Sequence, residues 1–258
     1  MDIALASIIH DPTGRFADQI DRTLPALTAH FDAVAIQASR QTAPGVLDRL
    51  AALGARLGLE GTDSAAAVGR VRRHAVALAL QLDRPFVLYC DFDRVLHWLE
   101  AHPRELPDVA ARLRPFDFTV LGRTPRAFNT HPRVQRDTEA VINHVFQRVS
   151  GRAWDTGTGA RGLSRRAAEV ITAQSADDTQ GNDVTWPLLL MRAGGFTLGY
   201  IETEGLEFET ADRFAAEVAA AGGLPDWLDR LDGDPAHWAA RLELARVEVA
   251  AMIPFARS

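Results

Sequence analysis

Two aspartates that follow a short apolar run are the residues of this chain best suited to do chemistry. The run extends from Pro85 to Cys90, and Asp91 and Asp93 come directly after it. Such a run is typical of a strand buried on both faces of a parallel sheet. Alternate residues of a strand point the same way, so the two carboxylates should meet just past its end, where open α/β sheets bind ligands. Because like charges repel, this pair favours a divalent metal with oxygen ligands.

A second interpretation makes these acids solvated turn residues or a helix N-cap. The residues from Arg94 to Leu99 have the pattern of a helix start, and aspartate is a good N-cap. An N-cap requires one acid, however, and two are present here. We therefore favour the metal site.

The elements that must position this pair alternate between strands and helices. Strands are predicted over Ile3–Ile9, Ala33–Ala38, Ala55–Leu59 and Pro85–Cys90, with helices over Phe16–His30, Gly45–Leu53 and Ala65–Leu82 between them. This order indicates right-handed βαβ units and a parallel sheet with helices on both faces.

The second half of the chain is less regular. We predict helices over Val95–Ala101, Pro107–Leu113, Arg136–Ser150, Arg165–Thr172 and Trp186–Ala193, strands over Phe116–Leu121 and Thr197–Ile201, a loop over Gly122–Pro132, and a helical tail from Asp212 onward. The glycine-rich stretch Trp154–Ser164 is expected to be an irregular strand that approaches a ligand closely. No repeat or linker is visible, so a single domain over 1–258 is predicted.

Composition excludes several classes of function. A net charge of -6 disfavours nucleic-acid binding. All 28 basic residues are arginines, which excludes chemistry that needs a lysine amine. The single Cys90 excludes an internal disulfide and suits a reducing cytoplasm, the predicted location. No apolar run is long enough to cross a membrane.

The first ninety-odd residues resemble the nucleotide-binding half of a GT-A-fold glycosyltransferase. The shared features are the N-terminal strand and loop, the second strand with its polar loop, Asp63, an arginine-bearing helix, and Asp91-Phe92-Asp93 as the DxD motif. The resemblance implies an α/β fold of the GT-A-like (Rossmann-like) class: a mixed, mostly parallel sheet with helices on both faces and a helical C-terminal tail. The domain would comprise a nucleotide-binding half (1–100), an acceptor half (101–205) and the tail (206–258).

The resemblance also implies a ligand set. The donor would be a nucleotide-diphosphate sugar and the acceptor an unknown hydroxyl compound, with Mn²⁺ or Mg²⁺ as cofactor. Contacts to the nucleotide and sugar would come from Ser7, Ile9, His10, Ser39, Asp63, Arg70, Arg73 and Asp91. Asp91 and Asp93 would hold the metal, with Asp93 as the direct ligand. The metal would neutralise the charge that develops on the leaving diphosphate.

Further roles are assigned beside simpler alternatives. Asp183, at a helix start, is the candidate general base of an inverting transfer, or simply an N-cap. His237 is the candidate third metal ligand, or a packing residue. Arg70 and Arg73 share one helical face and could contact a phosphate, or else cover the protein surface. Arg72 is expected to be a surface residue.

Three rival functions remain open. Residues Val87 to Leu96 also resemble the nucleophile strand of haloacid-dehalogenase-like phosphatases, with Asp91 as nucleophile and Asp93 as general acid. Against this, three strands precede the pair, Arg94 follows it, and no lysine is available. A nucleotide-sugar pyrophosphorylase would need lysines and a glycine-rich loop. A GT-A relative that binds nucleotide without turnover is favoured by His74 and Asn182, which replace the usual residues.

Overall fold

A seven-stranded sheet forms the centre of the protein in the computed structural model, which describes residues 2–60 and 67–256. The strands are β1 (Ile3–Ile9), β2 (Val34–Ser39), β3 (Arg56–Glu60), β4 (Phe86–Cys90), β5 (Phe118–Arg123), β6 (Ala160–Ser164) and β7 (Leu198–Thr203). Their order in the sheet is β3-β2-β1-β4-β6-β5-β7. The predicted mixed, mostly parallel sheet is confirmed, because only β6 runs antiparallel to its neighbours.

The order of the strands creates a crevice between β1 and β4. From β1 the chain proceeds outward through β2 to β3, and then returns to place β4 on the other side of β1. Connections therefore leave these two neighbouring strands in opposite directions. Ligands of open α/β sheets bind at such a switch point, beside the carboxyl ends of the strands.

Thirteen helices belong to the described part of the chain. They are α1 (Ala17–His30), α2 (Pro44–Ala52), α3 (Val68–Leu80), α4 (Phe92–Ala101), α5 (Glu105–Leu113), α6 (Pro125–Asn129), α7 (Arg133–Ser150), α8 (Arg165–Gln174), α9 (Asn182–Ala193), α10 (Thr210–Arg213), α11 (Ala215–Ala221), α12 (Leu224–Gly233) and α13 (Pro235–Met252). A 3₁₀ turn over Ile253–Phe255 follows α13. None of the described helices is long and apolar enough to cross a membrane.

Helices cover both faces of the sheet, as the alternation of elements predicts. In β1 the side chains of Ile3 and Leu5 join a core cluster with α1, α2, α4 and α5. Ala4 and Ala6 join a second cluster with α3, α7, α8 and α9. Because successive strand residues point to opposite faces, one apolar strand supplies both cores.

Several predicted boundaries in the second half are wrong. The stretch predicted as a strand from Trp154 is extended only over Ala160–Ser164, and the predicted loop Gly122–Pro132 contains the short helix α6, whose N-cap is Thr124. Helix α9 begins at Asn182 and not at Trp186, and Pro187 lies inside it; the Asp183 carbonyl, which the missing Pro187 N–H leaves free, accepts from Nη2 of Arg161 at 2.9 Å. The last difference matters most, because it places Asp183 inside a helix.

The short helix α10 is fixed to the body of the domain through a histidine. His97 of α4 places Nδ1 2.7 Å from Asp212 and Nε2 3.2 Å from Glu207. Burial lowers the pKa of His97, but hydrogen bonds to Asp212 and Glu207, together with the charges of Asp212 and Glu209, outweigh burial and raise the pKa above its ordinary value. When protonated, the imidazole pairs with both carboxylates and connects α4 to the segment that contains Glu207 and Asp212.

We expect this connection to weaken as the pH rises. A folded-state pKa above the unfolded value stabilises the protein fully below about pH 6.5, and the contribution is lost as the pH rises through the folded pKa. The free energy of unfolding of wild type relative to His97→Gln should be greater by roughly 0.5–1 kcal/mol at pH 5.5 than at pH 8.5. Urea denaturation at both pH values measures this, and an equal difference at the two would contradict it.

Candidate active site

A cavity of about 170 Å³ lies at the switch point between β1 and β4. Its lining consists of Ile8, Ile9, His10, Phe16, Asp91, Asp93 and Arg213. The sequence prediction that Asp91 and Asp93 face one common space agrees with this placement, although the geometry differs from alternation along a strand. The strand ends at Cys90, Asp91 occupies the N-cap position of α4, and Asp93 lies in its first turn.

Asp91 occupies an N-cap position without acting as a cap. No side-chain hydrogen bond to the helix is formed, so the simple N-cap interpretation is not supported. Instead Oδ1 accepts a short hydrogen bond from the Tyr89 hydroxyl, and Oδ2 accepts one of 2.7 Å from Nη2 of Arg72. Burial and the charge of Asp91 raise the pKa of Tyr89, which keeps its hydroxyl a donor. Both oxygens of Asp91 are therefore engaged by the protein itself.

Asp93 has the opposite environment. Oδ1 accepts a hydrogen bond of 2.9 Å from the backbone N–H of Arg94. Burial, together with the charges of Glu209 and Asp91, raises the pKa of Asp93 to about 7, even though Arg94 acts in the other direction. The negative charge of ionised Asp93 is thus unfavourable in this environment, and a cation in the cavity would stabilise it.

A buried arginine connects this edge of the sheet to helix α9. Arg72 is 3% exposed and donates from Nη2 to Asp91 and from Nη1 to Asp183 at 2.9 Å. Burial would lower the pKa of Arg72, but the charges of Asp183 and Asp91 raise it well above its usual range. The predicted surface location of Arg72 is wrong, and this residue is the centre of the cluster.

Asp183 is enclosed by this cluster. It is 2% exposed, and a second buried arginine, Arg161 of β6, donates to its Oδ1 at 3.2 Å. Gln180 also donates to Oδ2. A general base must reach the proton that it removes. These contacts instead give Asp183 the role of a buried counter-ion, and they do not support its predicted role as base.

Arg70 and Arg73, predicted to contact a phosphate, do not line this cavity. Arg70 bonds Glu60 at 2.9 Å, and Arg73 donates to the backbone of Asp177 and to the carboxylate of Asp178. His74 bonds the other oxygen of Glu60. Helix α3 therefore turns Arg72 toward the sheet, while Arg70 and Arg73 fasten neighbouring segments.

Of the remaining residues predicted to contact the nucleotide, some line the cavity and others form hydrogen bonds within the fold. Ile9 and His10 line the cavity. Ser7 is fully buried and donates to the Cys90 carbonyl at 2.5 Å, which ties β1 to β4, and Ser39 accepts from the N–H of Gln41. Asp63 lies outside the described residues.

The structure does not bring His237 to the aspartates. Its side chain is 46% exposed at the start of α13, and Nδ1 lies 3.2 Å from the Leu231 carbonyl oxygen. Within residues 2–60 and 67–256, no three His, Cys, Asp or Glu side chains are arranged to hold a metal ion. Asp91 and Asp93 are the members of the predicted metal set that share the cavity.

Sequence reasoning missed three residues of this region: Arg161, Glu209 and Arg213. Arg161 lies within a predicted strand, where an arginine beside apolar residues is a usable signal of a buried ion pair. Glu209 and Arg213 belong to the tail, and no local pattern connects them to the aspartates.

A larger cavity, of about 580 Å³, lies between α8, α9 and α13. Apolar residues such as Leu189, Val247 and Phe255 form much of its wall. Asp177, on its rim, is bonded to Thr179. Size alone would favour this cavity as the ligand site, but Asp91 and Asp93 lie at the smaller cavity.

Comparison with known proteins identifies the fold. No protein-family model matches the chain, and no curated protein matches it in sequence. Among solved structures, the chain is similar to glucosyl-3-phosphoglycerate synthase from Mycobacterium tuberculosis in complex with Mn²⁺, UDP-glucose and phosphoglyceric acid. The TM-score is 0.56 at 14% identity, with 87% of this chain and 79% of that chain covered.

A complex of the same synthase with Mg²⁺ and UDP gives a TM-score of 0.55 at 15% identity, covering 78% of this chain and 68% of that chain. A structure described as a mycobacterial protein gives 0.55 at 15% identity, with 86% and 75% covered. The GT-A-like fold predicted from the sequence is thereby confirmed.

Removing the Arg72 guanidinium should strongly destabilise the protein. Arg72→Gln leaves the buried Asp183 and the half-buried Asp91 without their shared partner, at a cost of about 3–5 kcal/mol in free energy of unfolding. Arg70→Gln, on the same helix but with a side chain 38% exposed, should cost at most about 1 kcal/mol. Equal losses in urea denaturation would contradict the central role of Arg72. Should Arg72→Gln not fold, combining it with Asp91→Asn and Asp183→Asn should recover folding.

Gly159 should not tolerate a side chain. Its φ is +58°, and a Cβ would lie 2.5 Å from Oδ2 of Asp91 and 3.0 Å from Nη2 of Arg72. Gly151, with φ +75° and nothing within 4 Å, is the matched control. Gly151→Ala should cost about 1 kcal/mol for its backbone strain alone, whereas Gly159→Ala should cost roughly 1–3 kcal/mol more in urea denaturation. Equal losses in free energy of unfolding for the two variants would contradict this expectation, and would show that Asp91 and Arg72 move easily to accommodate a Cβ at residue 159.

Proposed function

We propose that this protein is a metal-dependent glycosyltransferase that moves a sugar from a nucleotide-diphosphate sugar to a hydroxyl acceptor. The observation that supports this most directly is the placement of Asp91 and Asp93 on one cavity at the switch point. The fold is that of a synthase whose structures contain UDP-glucose with Mn²⁺, or UDP with Mg²⁺.

The residues present fit a divalent cation. Asp93 is an oxygen donor whose raised pKa reflects burial and the negative charges of Glu209 and Asp91. Hard divalent ions prefer such carboxylate oxygens, and substrate phosphates commonly complete their coordination. We assign Asp93 as the direct ligand and Asp91 as the adjacent charge, because both oxygens of Asp91 are engaged by Tyr89 and Arg72. When bound, the metal supplies electrostatic stabilisation of the leaving diphosphate.

The size of the cavity fits part of the donor. Ligand sites for whole small molecules usually occupy about 300–1,000 Å³, so a cavity of about 170 Å³ suits the diphosphate end. In the transfer, the bond between the anomeric carbon and the phosphate oxygen breaks, and a bond to the acceptor oxygen forms. The nucleoside diphosphate leaves with the electron pair of the broken bond, and the proton of the acceptor hydroxyl passes to the departing phosphate oxygen or to water.

The phosphatase alternative fits this geometry less well. A nucleophilic carboxylate must present a free oxygen to the phosphorus atom. Here Tyr89 and Arg72 bind the two oxygens of Asp91, and Gly159 closes on the pair from the start of β6. Mutual bonding of this kind holds a carboxylate in place and reduces its nucleophilicity.

A nucleotide-binding protein without turnover is the second candidate function. The observation that favours it is the burial of Asp183 between Arg72 and Arg161, which removes the predicted base from the acceptor side. A transfer with retention of configuration would need no such base. Turnover therefore separates this candidate from the transferase.

Binding of nucleoside diphosphates tests the proposal. UDP, GDP, CDP and ADP are screened with Mn²⁺ or with EDTA, and one of them should stabilise the protein only with metal, by about 2.7 kcal/mol at 100 times its Kd. Asp93→Asn should reduce the metal-dependent affinity by about 100-fold or more, equivalent to about 2.8 kcal/mol. Asp108→Asn, at an aspartate 66% exposed on α5, is the matched control and should bind like wild type.

The outcomes separate the candidate functions. Metal-dependent binding together with release of sugar from the matching nucleotide sugar supports the transferase. Metal-dependent binding without any turnover favours the binding protein. Hydrolysis of p-nitrophenyl phosphate that Asp91→Asn abolishes would replace the proposal with the phosphatase.

A further inference from the structure

The helical tail supplies an arginine to the cavity of the two aspartates. Arg213 is the last residue of α10, and its side chain lines the cavity together with Asp91 and Asp93. Of the described residues that form this lining, the other basic side chain is His10. A guanidinium and two carboxylates thus face the same small space, although they come from distant parts of the chain.

The backbone of Arg213 is fixed from two directions. Arg15 donates from Nη1 to its carbonyl oxygen at 3.1 Å and also pairs with Glu217. The preceding residue, Asp212, accepts hydrogen bonds from Gln19 and His97. Helices α1 and α4 therefore hold α10 in place at the mouth of the cavity.

The guanidinium lies against aromatic rings. Its central carbon is 5.6 Å from the ring centroid of Phe16 and 5.8 Å from that of Phe214. Rings at this distance orient an arginine without using its hydrogen-bond donors. The side chain is consequently preorganised and still able to bind an anion.

One donor of this half-buried side chain has no partner within the described part of the chain. Nε of Arg213 is buried there and has no hydrogen-bond partner. Arg72 and Arg94, near the same aspartates, are both ion-paired. A buried polar group without a partner is costly, and a planar guanidinium matches phosphate oxygens in particular.

We propose that Arg213 binds a phosphate of the nucleoside diphosphate opposite the metal site of Asp93. This inference rests on the proposed function and extends it, because it makes the tail part of the donor site. A cation at Asp93 and the guanidinium of Arg213 would then contact the diphosphate from two sides. Arg213 would stabilise the negative charge that the leaving group gains as the glycosidic bond breaks.

Substitution of Arg213 tests this assignment. Arg213→Gln should weaken binding of the Mn²⁺-loaded nucleoside diphosphates UDP, GDP, CDP and ADP by about 10- to 100-fold, measured by titration calorimetry. Arg213→Lys keeps the charge but loses the planar fork, and should weaken binding by a smaller factor. Arg112→Gln removes an arginine of α5 with a side chain 45% exposed, and should leave affinity unchanged. Binding of Mn²⁺ alone should be lost in Asp93→Asn and retained in Arg213→Gln.

Each outcome decides the question. Equal affinity of wild type and a folded Arg213→Gln overturns the role of Arg213, while the proposed function stands. If Arg213→Gln does not fold, the same comparison applies to Arg213→Lys. If none of the four diphosphates binds wild type with Mn²⁺, the proposed function and this inference both fail.

Discussion

The ion-pair cluster around Arg72 holds together the parts of the protein that meet at the site. Its guanidinium comes from α3, Asp91 follows β4, Asp183 lies in α9, and Arg161 belongs to β6. The carboxylates of the buried Asp183 and the half-buried Asp91 lie against two buried arginines, so opposite charges meet at every contact of the cluster. A network of this kind tolerates no missing partner, because a single buried charge costs far more than the balanced set.

The cluster gives the two aspartates different environments. Asp91 is satisfied by Arg72 and Tyr89, and therefore serves to shape the edge of the sheet. Asp93, only two residues later, faces Glu209 and Asp91 and is left without full compensation. The turn from strand to helix separates the carboxylates in this way, since one precedes α4 and the other lies in its first turn. The proposed cation site is centred on this uncompensated carboxylate.

The tail is a structural part of the same region. Helix α10 contacts α4 through His97 and Asp212, α1 through Gln19, and the loop before α1 through Arg15. These contacts bring Glu209 to Arg94 and Arg213 to the cavity. Residues of the tail therefore cover the carboxyl edge of the sheet. A site described from β1 and β4 alone would lack Arg213.

The sequence by itself determined the α/β class, the succession of the first four strands along the chain and the position of Asp91 and Asp93 just past the end of the fourth. These features are local: an apolar run, its period and the polar residues that end it are all visible within a few positions. Tertiary structure alone decided which arginine of the sequence Arg70-Val71-Arg72-Arg73 is buried, because that depends on the packing of α3 against β1 and α8. It also decided that Asp183 is a counter-ion and that Arg213 reaches the cavity. Charges find their partners across the fold, and pairings between distant segments leave no periodic trace in the chain.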